Sequence, residues 1–254
     1  CGVDTQHVIV DPDLKTGLGI ALCQTCTPGG DRAILTYSGS LCALRPGDMT
    51  DAVLASARHL HHGSFFLQTG LLPHIPEILA RAKALGVSTS LDPNWDPDER
   101  WNSTLLDALP LTDIFFPNDR EALHISRRSD VQTAAAWLRA QGASMVAIKR
   151  GAAGASFYSA QARYECPVAP AVGGDSIGAG DSVDAGFLAA WLRGLPPEQC
   201  LEIACRCVAR WYLRSPMSPI GNRKRANRPS GHRLYRRRKF FFALRHGPSL
   251  IRCH

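Results

Sequence analysis

The sequence predicts a three-layer α/β/α fold, in which helices cover both faces of a mostly parallel sheet and a small antiparallel sheet precedes it. From about residue 63 to residue 148, short apolar segments alternate with helical segments, a pattern typical of parallel sheets. Residues 7–44 instead carry short strand-like runs, which predict a small antiparallel sheet. A chain of 254 residues with 45% hydrophobic content fits one large core better than two.

The small antiparallel sheet is predicted over about residues 7–44. Its strands are expected at 7–10, 16–22 and 33–37, with Pro28-Gly-Gly-Asp31 as the turn before the last of them.

The main α/β part is predicted over about residues 50–214. A helix is expected to run from Pro46-Gly-Asp48 to about His59, followed by a buried strand at Gly63-Ser-Phe-Phe-Leu67. The later elements are predicted as helices at 75–85, 104–109, 120–125, 131–141, about 179–195 and 196–212, and strands at 87–91, 114–116, 145–148 and 155–158. Ligands of such sheets bind at the carboxyl ends of the strands, so the loops that follow the strands are the candidate sites.

The net charge of +7 is unevenly distributed. Residues 215–254 hold 11 of the 29 Lys and Arg residues and no Asp or Glu, whereas residues 1–214 hold 18 basic and 22 acidic residues. We therefore treat 215–254 as a separate basic tail. Three interpretations stay open for it: a disordered extension, a segment that binds nucleic acid or another anionic surface, or the product of a shifted reading frame.

The chain lacks an apolar run of 18 residues and has no signal peptide at its N-terminus, so we expect a cytoplasmic protein without a membrane span. Its nine cysteines are scattered, which favours free thiols over a disulfide framework. Cys23 and Cys26 form a lone C-x-x-C without a second pair at zinc-ligand spacing, which is weak support for a metal or redox site.

The segment Asp175-Ser-Ile-Gly-Ala-Gly-Asp181 combines an anion cradle with a candidate base. Gly178, Ala179 and Gly180 let the backbone approach a ligand, and their N–H groups lie at the start of a helix, where they can bind a phosphate. Asp181 follows in the first turn, where the helix dipole favours an ionised carboxylate that can accept a proton. By itself, this pattern is equally typical of an ordinary glycine turn.

Three further loops carry polar residues after predicted strands. Asp92-Pro-Asn94 follows one strand, and it is also a common turn sequence. Asn118 and Glu121 are spaced to lie on one face of a first helical turn, where they are also compatible with a capping box. Lys149 opens the loop Lys149–Gly154, where it could meet a phosphate or be solvated.

The segments D-S-x-G-A-G-D, P-N-x-x-E and K-x-G-x-x-G-A together resemble the ribokinase-like (PfkB-type) carbohydrate kinases over about residues 2–210. The resemblance implies ATP-dependent phosphorylation of a sugar or sugar-derivative hydroxyl, with ATP and Mg²⁺ as cofactors. It implies that the antiparallel sheet at about residues 7–44 is a β-lid that covers the sugar, and this lid suggests a homodimer interface. We expect no membrane partner, and nucleic acid is not the favoured partner. It does not identify the sugar.

The resemblance also assigns expected roles to individual residues. Asp181 is the catalytic base, and Gly178, Ala179 and Gly180 form the anion hole. Asn118 and Glu121 belong to the magnesium and phosphate environment. The expected nucleotide-side residues are Lys149, Gly151 and Gly154, and the expected substrate-side residues are Asp92, Asn94 and Asp175. Asp184, three residues after Asp181, is expected to face solvent.

Two departures from the family pattern leave other functions open. The strand and glycine-pair motif that precede the lid in the family have no counterpart here, and the basic tail replaces the family's adenine-side segment. A non-catalytic or truncated remnant of the kinase fold is therefore one alternative to an active kinase, and a nucleic-acid-associated protein is the other.

Overall fold

The computed structural model describes residues 3–23, 32–101, 104–168, 177–214 and 243–244. Strands in chain order are β1 (Leu18–Cys23), β2 (Arg32–Tyr37), β3 (His59–His62), β4 (Ser88–Leu91), β5 (Ile114–Phe115), β6 (Met145–Lys149), β7 (Ala155–Tyr158), β8 (Arg163–Cys166) and β9 (Ala243–Leu244). Helices are α1 (Asp51–Ala55), α2 (Ile75–Ala84), α3 (Leu105–Ala108), α4 (Asp119–Ser126), α5 (Val131–Ala140), α6 (Ala179–Trp191) and α7 (Pro197–Arg214). Short 3₁₀ turns occupy Gly39–Cys42, Pro46–Asp48, Phe65–Leu67, Leu72–His74, Leu109–Leu111 and Gly151–Ala153.

The main sheet has the strand order β8-β7-β6-β5-β4-β3-β9. Strands β3 to β6 run parallel to one another, and β7, β8 and β9 pair in the antiparallel sense at the two sides. The parallel centre confirms the predicted fold class. Since the carboxyl ends of β3 to β6 meet at one edge, their following loops are brought together there.

Helices cover both faces of this sheet, and alternate strand residues face the two layers. Phe115 and Val146 pack in the core against α2, α3, α4 and α5. Their neighbours Phe116 and Ala147 pack in a second core with Phe187 of α6 and the apolar face of α7. This alternation follows from the two-residue period of a strand, and it makes the molecule a three-layer structure as predicted.

The predicted lid is the two-stranded antiparallel ribbon β1–β2, in which Leu18 lies opposite Tyr37 and Ile20 opposite Leu35. The predicted strand at 7–10 is wrong, because that segment has no strand pairing. The carboxylates of Asp4 and Asp11 accept nearby backbone N–H groups on either side of it, and such local bonds compete with strand pairing. The predicted turn at Pro28–Asp31 lies outside the described residues.

The strand predicted at 63–67 is also wrong, and so is the helix predicted to reach His59. Helix α1 ends at Ala55, and the strand is formed by His59–His62 instead. Ser64 adopts a left-handed conformation with φ of 58° and interrupts the extended chain. The N–H groups of Phe65 and Phe66 then bond to the carbonyls of Asp92 and Pro93, across the strand ends.

Most remaining elements agree with prediction to within two residues at each end. Helix α6 ends at Trp191, earlier than the predicted Leu195, and Gly194 beyond it has a φ of 79° that no helix accommodates. Strand β8 was missed. Of the basic tail, the structure describes only Ala243–Leu244, whose backbone pairs with β3.

No helix among these described segments is long and apolar enough to cross a membrane. Where the structure describes them, Cys42, Cys166, Cys200 and Cys205 are free thiols, as predicted. The side chains of the Cys23 and Cys26 pair lie outside the described part of the chain.

Helices α6 and α7 approach closely at Gly186, which yields a test of the packing. A Cβ on Gly186 would lie 2.8 Å from the Ala204 Cα and 3.0 Å from the Cys207 Sγ. Gly186→Ala should therefore destabilise the protein by about 1–3 kcal/mol through overpacking, measured by urea denaturation. Gly47→Ala is the matched control, because a Cβ there meets nothing within 4 Å; equal stability of the two variants would contradict the packing.

Candidate active site

The glycine segment that is predicted to form an anion cradle lies at the N-terminus of α6. Gly178 precedes the helix with φ of 80°, a conformation that requires glycine. The Ser182 hydroxyl donates to the Gly178 carbonyl at 2.8 Å and holds this turn. The first N–H groups of a helix have no acceptor within the helix, so those of Ala179, Gly180 and Asp181 are left for an acceptor outside the helix. Asp175 lies outside the described residues.

Asp181 is exposed in the first turn of α6, on the open side of the strand ends. Although the side chain is accessible to solvent, neighbouring groups partly desolvate its carboxylate and raise its pKa above the usual value. The charge of Asp92 adds to that effect, and Lys149 opposes it. A raised pKa makes a carboxylate a better proton acceptor near neutral pH. Asp181 is therefore accessible to a ligand and more basic than an ordinary aspartate carboxylate.

Lys149, at the end of β6, forms the centre of a buried ionic cluster. Its Nζ lies 2.9 Å from Oδ2 of Asp92 and 3.3 Å from Oδ2 of Asp184. The three side chains are 11%, 13% and 4% exposed, respectively. A Cβ built on Gly180 would lie 3.7 Å from Lys149 Nζ, so the ammonium group sits directly behind the anion cradle.

The structure corrects two expectations about this cluster. Asp184 was expected to face solvent, and this is wrong: its side chain points into the sheet and pairs with Lys149. Of the two alternatives for Lys149, the solvated one is wrong, because two carboxylates enclose its ammonium group.

Burial and charge act in opposite directions on the pKa values of the cluster. Burial by itself lowers the pKa of Lys149, but Asp184 and Asp92 outweigh it, so the lysine stays protonated. Burial raises the pKa of Asp92, and Lys149 reverses that effect, so the net pKa is lowered. The pKa of Asp184 lies well above its usual range, because burial dominates over Lys149. Asp184 is thus the carboxyl of the cluster that binds a proton most readily.

Asn118 and Glu121 form a reciprocal capping box at the start of α4. The Asn118 N–H donates to Glu121 Oε2 at 2.8 Å, and the Glu121 N–H donates to Asn118 Oδ1 at 2.8 Å. Glu121 is buried, and burial raises its pKa to about 7, with Lys149 opposing the rise. Asn118 also forms a parallel backbone bridge with Lys149. The capping alternative is therefore correct, and it holds both residues at the edge where the ionic cluster lies.

The Asp92–Asn94 loop follows β4 and is hydrogen-bonded to Ser64, which lies just after β3. The Asn94 N–H donates to Asp92 Oδ1 at 3.0 Å, and Asn94 Nδ2 donates to the Ser64 hydroxyl at 3.3 Å. Both Asn94 and Ser64 have positive φ, at 55° and 58°, which marks a tightly constrained loop. Asp92-Pro-Asn94 therefore forms an ordinary turn, and this turn lies at the strand ends where the candidate site is.

Gly151 and Gly154 lie in the β6–β7 turn for different reasons. Gly154 has φ of 88°, and a Cβ there would lie 2.0 Å from the Cys166 carbonyl in β8, so only glycine fits. Gly151 has φ of 53° and nothing within 4 Å of a built Cβ, so its side is open. Packing against β8 therefore explains Gly154 without a ligand.

An apolar cleft of about 340 Å³ lies between the ribbon and the body of the fold. Its lining includes His7, Thr16, Tyr37, Met49 and Val53, and none of the polar strand-end residues described above. We place the chemistry at the strand ends, because the charged groups and the free helix N-terminus converge there.

Residues from four separate elements thus meet at one sheet edge. Asp92 follows β4, Asn118 and Glu121 follow β5, Lys149 ends β6, and Asp181 begins α6. An exposed carboxylate beside an anion cradle can remove a proton from a group that attacks a bound phosphate.

Comparison with known proteins finds a family match over most of the chain. Residues 1–213 match the pfkB family carbohydrate kinase family. The chain belongs to this family. A cytidine kinase from Thermococcus kodakarensis is 34% identical over 142 residues, which cover 53% of this chain and 51% of the relative. An ATP-dependent ribose-1-phosphate kinase from Halopiger xanaduensis is 29% identical over 82% of this chain and 65% of its own length.

Solved structures show the same fold. A candidate ribokinase II from E. coli, in complex with ATP and Mg²⁺, has a TM-score of 0.66 and 28% identity, covering 78% of this chain and 66% of that one. The chain therefore spans about half to two thirds of the length of these PfkB relatives.

Sequence reasoning missed Asp184 as a member of the site. The sequence feature that could have identified it is its position between Val183 and Phe187, which are both buried in an apolar helix. An ionisable residue in such a setting is retained where a partner compensates it, and Lys149 is that partner.

The ionic cluster yields a stability prediction. Lys149→Met should destabilise the protein by about 3 kcal/mol, because it leaves buried carboxylates without their cation. Adding Asp184→Asn should recover part of the loss by removing one of those charges. Lys83→Met is the matched control, because its pair with Asp113 is more exposed, with side chains 37% and 21% accessible, and should contribute at most about 1 kcal/mol.

Urea denaturation between pH 5 and pH 8 measures these differences. The raised pKa of Asp184 means that the folded chain binds this proton more tightly than the unfolded chain. The loss in Lys149→Met should therefore shrink as the pH falls, since Asp184 then becomes neutral. A loss no larger than that of Lys83→Met at pH 8 would show that the cluster does not stabilise the fold.

Proposed function

We propose that this protein transfers the γ-phosphoryl group of ATP to a hydroxyl of a sugar or a sugar derivative, with Asp181 as the catalytic base. The observation that carries the proposal is the exposed Asp181 carboxylate in the first turn of α6, beside the N–H groups that follow Gly178. Membership in the PfkB family supports the same reaction class.

In the proposed reaction, Asp181 accepts the proton of the acceptor hydroxyl as its oxygen attacks the γ-phosphorus. The new O–P bond forms while the bond to the bridging oxygen breaks, and ADP leaves. Negative charge on the transferred oxygens is stabilised by the N–H groups of Ala179, Gly180 and Asp181. Lys149 adds positive potential from behind Gly180.

The residues present fit ATP and Mg²⁺ at this edge. Gly180 leaves open the space that a Cβ would take beside Lys149, as a close phosphate requires. Among the described residues, no group of three or more His, Cys, Asp or Glu side chains could hold a metal. We therefore infer that Asn118 and Glu121 would meet Mg²⁺ through water, while ATP oxygens supply most ligands. Bound Mg²⁺ would neutralise charge on the phosphates.

We propose that Gly151 and Lys149 lie on the nucleotide side of Asp181. Asp92 and Asn94 are proposed to lie on its acceptor side. The open face of Gly151 supports the first assignment. The connection of Asn94 to Ser64, at the end of β3, supports the second.

Asp181→Asn tests the catalytic assignment. The amide keeps the shape of the side chain but accepts no proton, so phosphoryl transfer should fall by about 10²–10⁴-fold. Transfer is measured as ADP release with ATP and Mg²⁺ and three acceptors: cytidine, ribose 1-phosphate and ribose. The melting temperature should stay unchanged, because Asp181 is exposed.

Asp107→Asn, at an exposed position of α3, is the control and should keep full activity. An Asp181→Asn variant that retains more than a tenth of the wild-type rate would refute the assignment of Asp181 as the base.

We also propose that the lid ribbon forms a homodimer interface. Leu18, Ile20, Leu22, Leu35 and Tyr37 share one face of the ribbon and are 47–58% exposed. A two-stranded ribbon is marginally stable alone, and an exposed apolar face of this kind favours burial in an interface. A second copy presents the same face, so two ribbons can pack symmetrically.

Sedimentation equilibrium tests this interface. Leu35→Glu should convert a dimer to a monomer, because the carboxylate would be buried without a partner. Leu85→Glu, at a leucine that is 41% exposed on the body of the fold, should leave the dimer intact. A wild-type protein that is monomeric at micromolar concentration would rule out the lid dimer.

A further inference from the structure

A chain of hydrogen bonds links two histidines of β3 to two serines of β4. His59 Nδ1 lies 2.9 Å from the Ser88 Oγ, and His59 Nε2 lies 2.7 Å from the Ser90 Oγ. His61 Nδ1 also lies 2.7 Å from the Ser90 Oγ. The Ser88 hydroxyl donates to the Arg58 carbonyl at 3.0 Å, which closes one end of the chain.

The number of hydroxyl protons fixes the direction of this chain. Each serine hydroxyl has a single proton to donate. Ser88 gives its proton to the Arg58 carbonyl, so it must accept from His59 Nδ1. His59 is neutral at physiological pH, since burial lowers its pKa to about 3, and its Nε2 therefore accepts the proton of Ser90.

The same reasoning determines the tautomer of His61. The Ser90 proton is already donated to His59, so the Ser90 oxygen must accept from His61 Nδ1–H. Burial lowers the pKa of His61 to about 4, so this ring is also neutral. A neutral imidazole with its proton on Nδ1 has a bare Nε2, which is a hydrogen-bond acceptor.

The bare nitrogen lies near the carboxyl end of β3, at the sheet edge that carries the candidate active site. Gly63 is the next residue on that face, and a Cβ there would lie only 3.7 Å from His61 Nε2, so the glycine leaves the nitrogen uncovered. Asp92 and Lys149 act electrostatically on His61 and on Asp181 alike. His61 is partly exposed, whereas His59 and His62 are buried. Within the described residues, no hydrogen bond to His61 Nε2 is found.

We propose that His61 Nε2 accepts a hydrogen bond from a hydroxyl of the acceptor substrate, and that the serine–histidine chain holds it in the accepting tautomer. This inference rests on the proposed kinase function, and it assigns a substrate-binding role that the motifs do not contain. A substrate with a hydroxyl at this position is favoured over an analogue without one, because the latter leaves the nitrogen unpaired.

His61→Asn and His61→Gln distinguish the roles of the two imidazole nitrogens. An asparagine amide can still donate to Ser90 but does not reach the Nε2 position, so KM for the acceptor should rise about 3- to 10-fold, as expected for one lost hydrogen bond. KM for ATP should not change. A glutamine amide reaches the Nε2 position and should restore part of the acceptor affinity. His74→Asn, at an exposed histidine, is the control.

Imidazole ¹⁵N NMR tests the tautomer independently of activity. Wild-type His61 should carry its proton on Nδ1 at pH 7, and Ser90→Ala should relax that preference. A proton on Nε2 in the wild type would overturn the proposal even if the enzyme is active. So would an acceptor KM in His61→Asn equal to that of the His74→Asn control.

Failure of the kinase function itself gives a different result. A wild type that phosphorylates none of cytidine, ribose 1-phosphate and ribose would refute the proposed function. Calorimetric binding of the same three compounds then decides the role of His61: weaker binding by His61→Asn than by wild type supports it, and equal or undetectable binding overturns it.

Discussion

The ion cluster of Lys149 with Asp92 and Asp184 is the interaction on which the candidate site depends. Removing three charged groups from water is unfavourable unless they compensate one another. The 2.9 and 3.3 Å contacts of Lys149 achieve this, and they tie the end of β6 to the β4 loop and to α6. Each element carries a different part of the candidate site, so the cluster sets the distance from the start of α6 to the Asp92 loop.

The cluster also explains why neighbouring polar groups have unusual properties. Lys149 opposes the effects of burial at Glu121 and Asp181, whose pKa values nevertheless remain raised. Without that cation, both carboxyls would bind protons still more tightly. At the end of β3, His61 remains neutral although the charges of Asp92 and Lys149 act on it. One buried cation therefore influences proton positions across the whole edge of the sheet.

Much of the candidate site was predictable because its residues lie in local motifs. The glycine turn before α6, the spacing of Asn118 and Glu121, and the strand-end position of Asp92 each follow from a few adjacent residues. Asp184 was not predictable in this way, since its partner Lys149 is 35 residues away in sequence. The histidine–serine chain was also invisible, because it requires the parallel register of β3 with β4.

The sequence by itself determined the α/β class, the family motifs and their order along the chain, because periodicity and turn residues act over short distances. It misplaced the strand at 63–67, since the left-handed Ser64 depends on contacts with the Asp92 loop. Only the tertiary structure decided which charges are buried and paired. Burial and ion pairing are properties of residues distant in sequence, so the balance around Lys149 exists only once the strand ends meet.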